Sequence, residues 1–137
     1  MFTSHRTVRF NEVDGANILF FSRVFEICHA AFEEALDASG HRLRDVLTSA
    51  SWRMPLVHAE ANFIAPIFLG DLLAIEVSIS HVGTRSLTWA FVVKLDKDGS
   101  PRATATHVHV AVDRHSFKSV NLPSDLLLSL QNQDLID

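Results

Sequence analysis

The chain has 137 residues, 47% of them hydrophobic, enough to bury one core and too few for two. With 12 Lys+Arg against 16 Asp+Glu the net charge is −4, and no run of basic residues is present to neutralise successive phosphates, so nucleic acid is not an expected partner. No apolar stretch approaches the ~20 residues that span a bilayer, Met1–Phe10 lacks the apolar segment of a secretory signal, and the lone Cys28 excludes an internal disulfide; a cytoplasmic protein is expected.

In chain order, Arg6–Phe10 alternates weakly and predicts a short strand, followed by a loop with turn chemistry over Asn11–Gly15. From Phe21 to Ala38 the apolar residues Val24, Phe25, Cys28, Ala31, Phe32, Ala35 and Leu36 recur at three- and four-residue spacing, which predicts one long amphipathic helix. Gly40 is placed to end it in the left-handed conformation. Leu43–Leu47 has the pattern of a further helical turn. Leu56–Phe63, Leu72–His81, Ser86–Leu95 and Ala103–Asp113 are rich in β-formers and separated by turn residues, so strands dominate this half. Short polar turns join the last three, which makes them an antiparallel meander. A short helix is expected after Pro123. The result is an α+β fold with a single domain over 1–137, in which one face of the sheet covers the helix and the other is left for a partner or solvent.

Asp14 lies seven residues before Phe21, the residue that opens the helix. Free N–H groups in a first helical turn carry partial positive charge and can hold the oxyanion formed when a thioester carbonyl is attacked, while a nearby carboxylate attacks or activates water. The alternative is that Asp14 only makes an Asx turn ahead of Gly15. Spacing alone leaves both open.

Two blocks carry a family resemblance. Val8-Arg-Phe-Asn-Glu-Val-Asp14-Gly-Ala-Asn-Ile-Leu-Phe-Phe21 and Pro55-Leu-Val-His-Ala-Glu-Ala-Asn-Phe63, the second followed by Ala65-Pro66 and Gly70-Asp71, resemble the hot-dog-fold thioesterases of the 4-hydroxybenzoyl-CoA thioesterase family over nearly the whole chain. The resemblance implies an antiparallel sheet wrapped around one long helix and hydrolysis of an acyl-CoA, with Asp14 as nucleophile or general base and the Phe21 backbone N–H polarising the thioester oxygen. Two departures are present: Asn17 replaces a frequent second glycine, and Ser22-Arg23 replaces a frequent Asn. Asp-Gly-Ala, Cys28-His29 and Pro55–His58 look most like the members that hydrolyse 1,4-dihydroxy-2-naphthoyl-CoA. A fused aromatic acyl group would then be lined by Phe20, Phe21, Phe25 and Phe63.

By the same resemblance His58 is a candidate for the acyl wall, Glu60 a second carboxylate on its strand face, and Arg85 with Ser86 a contact for coenzyme A phosphates. Each has a plainer reading, as a structural histidine, an exposed carboxylate and a solvated hairpin tip. His107 and His109 share a strand face, but two imidazoles are too few for a closed metal site, and no metal is expected. No other cofactor is expected, because coenzyme A arrives with the substrate, and a homodimer assembling to a tetramer is implied. An acyl-carrier-protein thioesterase and a non-catalytic acyl-binding hot-dog protein are the alternatives.

Overall fold

The computed structural model describes residues 1–136. Its elements are β1 (Phe2–Thr7), α1 (Arg23–Ala38), α2 (Leu43–Ser49), β2 (Trp52–Arg53), β3 (Leu56–Phe63), β4 (Leu72–Val82), β5 (Ser86–Leu95), β6 (Pro101–Val110), β7 (Val112–Asp113) and α3 (Ser124–Asn132). The five long strands form one antiparallel sheet in the order β1-β4-β5-β6-β3, and β2 pairs with β7 apart from it.

The two-residue side-chain period decides what the sheet buries. Leu73, Ile75 and Val77 of β4, Leu87, Trp89, Phe91 and Val93 of β5, and Ala103, Ala105, His107 and His109 of β6 all point to one face and are buried. Against that face lies the apolar stripe of α1: Val24, Ile27, Cys28, Ala31, Phe32, Ala35 and Leu36. Ala31 and Ala35 of the helix and Ala103 and Ala105 of β6 are all buried in this layer, and such small residues let helix and sheet approach closely. Cys28 is sealed in this layer, and burial pushes its thiol pKa up to about 12. The helix ends as its sequence predicts: Gly40 has φ +88°, and the N–H of His41 returns to the Leu36 carbonyl at 2.9 Å.

α1 opens at Arg23 with Ser22 as its cap, two residues after the expected Phe21, and two strand boundaries differ by more than that. The first strand runs over Phe2–Thr7 instead of Arg6–Phe10, because its six residues pair with Val77–Leu72 of β4, whereas Phe10–Glu12 forms a 3-10 turn. That turn closes when the carboxylate of Glu12 accepts the N–H of Arg9 at 2.9 Å. The last strand predicted over Ala103–Asp113 breaks at Ala111, whose N–H and carbonyl are taken by the Arg85 carbonyl and the Val120 N–H. Val112–Asp113 then turns away to pair with Trp52–Arg53.

Candidate active site

The loop between β1 and α1 is held from below by Glu12. Its carboxylate is buried, forms an ion pair with Arg6, and is hydrogen-bonded by the Arg9 N–H, while its carbonyl accepts the Phe20 N–H at 2.8 Å. Above this anchor Asp14–Asn17 makes a tight turn, with Asn17 N–H on the Asp14 carbonyl at 3.0 Å and Asp14 N–H on the Ile18 carbonyl at 2.9 Å. Asn17 has φ +67°. Asparagine tolerates that left-handed conformation better than other side chains do, so it can occupy a position where glycine is frequent.

Oδ1 of Asp14 accepts the N–H groups of Ala16 at 2.8 Å and Ile18 at 3.3 Å. The Asx turn is therefore real, and it is compatible with chemistry: it fixes the carboxylate through one oxygen and leaves Oδ2 without a partner among the described residues. Ahead of α1, the N–H groups of Phe21 and Ser22 donate to nothing among the described residues, whereas those of Phe20 and Arg23 are satisfied. They are the first free donors at the positive end of a 16-residue helix. Asp14, Phe20, Phe21 and Phe63 line one cleft of about 450 Å³ with Ile64–Ile67. Phe20 and Phe21 pack ring on ring at 4.9 Å, and Phe21, Phe63 and Ile64 are exposed.

The other candidates lie elsewhere. Phe25 is half-buried and stacks over His107 at 6.3 Å, beneath the helix and outside the cleft. His58 and Glu60 face each other at 3.3 Å, both exposed, opposite Val108 and Thr106 on the outer side of the sheet. The structure does not bring them into the Asp14 cleft, because the pleat that turns Ala59, Ala61 and Phe63 inward turns them outward. Arg85 and Ser86 sit at the β4–β5 turn, where Arg85 donates to the Ser119 hydroxyl at 3.0 Å. Gly83 keeps that turn tight, since a Cβ there would meet the Ser86 hydroxyl at 2.7 Å.

His107 and His109 are buried under α1 among Phe25, Phe32 and Phe91. Burial, with repulsion from His109 and His29 next, lowers the pKa of His107 to about 4. His109 is also lowered by burial, against the hydrogen bond to the Met54 carbonyl that raises it. Sequence reasoning missed the anchoring role of Glu12 and a second cavity walled by Trp89 and His109. The inward positions of those two were legible from strand alternation, but the space beside them depends on α2 and the 113–118 loop.

A sheet curled over a central helix, with a fixed carboxylate in the loop ahead of the helix's free N–H groups, defines a hot-dog-fold thioesterase. Residues 8–130 match the family model described as the thioesterase-like superfamily. The chain belongs to that family. It is 35% identical over 130 residues to a 1,4-dihydroxy-2-naphthoyl-CoA hydrolase of Nostoc punctiforme, covering 95% of this chain and 86% of the relative. With the same enzyme of Crocosphaera subtropica it shares 31% over 137 residues, covering 96% and 98%. The crystal structure of a 1,4-dihydroxy-2-naphthoyl-CoA thioesterase from Synechocystis superposes with a TM-score of 0.89 at 26% identity, covering 97% of both chains.

Proposed function

We propose that this protein hydrolyses acyl-coenzyme A thioesters and that 1,4-dihydroxy-2-naphthoyl-CoA is its substrate. The observation that carries the reaction is the shared cleft of Asp14 and Phe21, a carboxylate with one unpartnered oxygen beside a free helix-terminal N–H. The names of the relatives support the acyl group. In this scheme the thioester oxygen rests on the Phe21 N–H. Asp14 either attacks the carbonyl carbon, expelling the thiolate and forming an anhydride that water cleaves, or draws a proton from water that attacks directly. Both routes break the carbon–sulfur bond and yield the free acid and coenzyme A. Neither requires a metal or further cofactor.

The active assembly in this reading is a dimer formed along β3. Among the described residues no strand pairs with its outer edge, and Leu56, Val57, Phe63 and Ile64 are exposed along it. An edge of this kind is a template for a second copy, and antiparallel pairing of two β3 strands makes a continuous sheet. The half-buried outer face, with Thr88, Ala90, Val92 and Thr104, offers a surface on which two such dimers would form a tetramer. Among the described residues no helix is long and apolar enough to cross a membrane, and the buried free thiol of Cys28 fits the cytoplasm as the site of action.

Assay of the purified protein against 1,4-dihydroxy-2-naphthoyl-, benzoyl- and long-chain acyl-CoA, and against an acyl-carrier-protein thioester, tests the reading. Preference for the naphthoyl thioester is expected. Absence of hydrolysis with all four would overturn it.

A further inference from the structure

Glu12 is the only buried carboxylate among the described residues, 7% exposed beneath a loop whose tip at Asp14–Asn17 lies in water. All of its hydrogen-bonding groups are engaged. Its N–H donates to the Arg9 carbonyl at 3.0 Å and its carbonyl accepts the Phe20 N–H at 2.8 Å. Oε1 accepts the Arg9 N–H at 2.9 Å, and Oε2 meets the Arg6 guanidinium. Such a pair is not the cheapest way to seal a loop: desolvation offsets much of its attraction, and apolar residues of similar volume often stabilise a fold as well or better. What charged hydrogen bonds supply beyond packing is direction, because they are restricted in distance and in angle.

The groups so directed are those of the cleft. Phe20 is held on both sides, its N–H by the Glu12 carbonyl and its carbonyl by the Arg23 N–H at 2.8 Å. The Phe20 carbonyl and the Phe21 N–H belong to one planar trans peptide group, so locking the carbonyl fixes the direction of the free Phe21 N–H. On the other arm of the loop Val13 bridges to Leu19, and the Asp14 N–H donates to the Ile18 carbonyl at 2.9 Å. Asp14 therefore hangs two residues beyond Glu12, and the Phe21 N–H one residue beyond Phe20. A single Glu12–Phe20 rung sets both. The Arg23 guanidinium also reaches the Asn11 carbonyl at 3.4 Å, which ties the start of α1 to the same turn.

We propose, on the thioesterase reading above, that Glu12 paired with Arg6 is a positioning residue for the reaction. It holds Asp14 and the Phe21 N–H at the mutual placement that the attacked thioester requires, and it acts through the loop without touching substrate. Neither Arg6 nor Glu12 lines the cleft. Loss of the pair therefore leaves the binding surface in place and displaces the reacting groups, and a misplacement of about 1 Å is enough to slow a reaction about a hundredfold.

The test replaces direction by packing. Arg6→Met/Glu12→Leu fills the site with apolar side chains of similar volume and is expected to fold, which thermal denaturation and mass verify. With the thioester that the unaltered protein hydrolyses fastest, its kcat should fall roughly tenfold to a hundredfold while KM stays within about threefold. Glu12→Gln keeps an amide oxygen for the Arg9 N–H, and its kcat should lie between those of the unaltered protein and the double variant. Unchanged kcat in the folded double variant overturns the proposal, as does a loss carried by KM. If the double variant does not fold, Glu12→Gln decides alone: a fall in kcat of at least about threefold at constant KM supports the proposal, and any other result overturns it.

Amide hydrogen exchange read by NMR separates the loop from the chemistry. In the folded variant the Phe20 N–H should exchange at least about tenfold faster, while Ala31 in the middle of α1 keeps its protection. Retained protection at Phe20 overturns positioning by Glu12, whether or not any thioester is hydrolysed. Faster exchange at Phe20 in a protein whose unaltered form hydrolyses no thioester sinks the thioesterase reading, and the catalytic consequence with it, while the anchoring of the loop by Glu12 stands.

Discussion

Arg85 and Asp14 lie at opposite ends of the sheet. The Arg85 carbonyl accepts the N–H of Ala111, beside the strand end where Leu56 pairs with His109, whereas Asp14 shares its cleft with Phe63, which pairs with Ala103 at the other end. Eight residues of β3 separate the two ends, about 25 Å at strand rise. In the β3-paired dimer proposed above, the Arg85 turn of one protomer would lie toward the Asp14 cleft of its partner.

Arg85→Ala is therefore expected to raise KM several-fold with kcat little changed, since a phosphate contact far from the reacting carbon contributes nearly equally to ground and transition states. Steady-state kinetics and titration with free coenzyme A check this. Unchanged affinity for coenzyme A would remove Arg85 from the site.

The β3 edge yields a prediction about assembly. Val57 and Ile64 are 59% and 55% exposed near opposite ends of the strand, so in an antiparallel pair each approaches the other's copy. Val57→Lys/Ile64→Lys places like charges against apolar surface and should convert the assembly to monomers of 15.3 kDa. Light scattering after size exclusion reads the mass. An unaltered protein that is already monomeric at micromolar concentration would contradict the β3 interface.

The buried imidazole of His107 makes stability depend on pH. Its pKa falls from the ordinary 6.5 to about 4 on folding, so between those values the unfolded chain binds the additional proton and stability rises with pH. The destabilisation is absent above about pH 6.5, grows as pH falls, and is complete below about pH 4, reaching on the order of 3 kcal/mol. Chemical denaturation at pH 7.5 and pH 4.5 should show this loss, and His107→Phe should flatten it. An unchanged pH slope in a folded variant would assign the acid sensitivity to other groups.

Much of this was legible in the sequence because it rests on periodicity. The apolar spacing from Val24 to Leu36 fixes the helix and its buried stripe, and alternation along β5 and β6 fixes which residues meet it. The strand at Arg6–Phe10 was misplaced because the pairing that defines β1 is made with β4, more than sixty residues away, and leaves little local trace. Asp14 shows a different limit. Its loop chemistry predicts an Asx turn, and the turn forms, but only the unpartnered Oδ2 and the unused Phe21 N–H show that the same residue remains available for chemistry. His58 and Glu60 belonged to a recognisable block, yet which side of an edge strand they face is set by register against β6.

The central claim is that Asp14 carries the reaction. Asp14→Asn can keep the hydrogen bonds from Ala16 and Ile18 through its amide oxygen, so the loop should hold while the anionic oxygen is lost. The most direct measurement is kcat for 1,4-dihydroxy-2-naphthoyl-CoA in this variant, with circular dichroism and mass confirming an intact assembly. A fall of roughly a hundredfold to ten-thousandfold is predicted. Near-normal turnover by a folded Asp14→Asn protein would contradict the account.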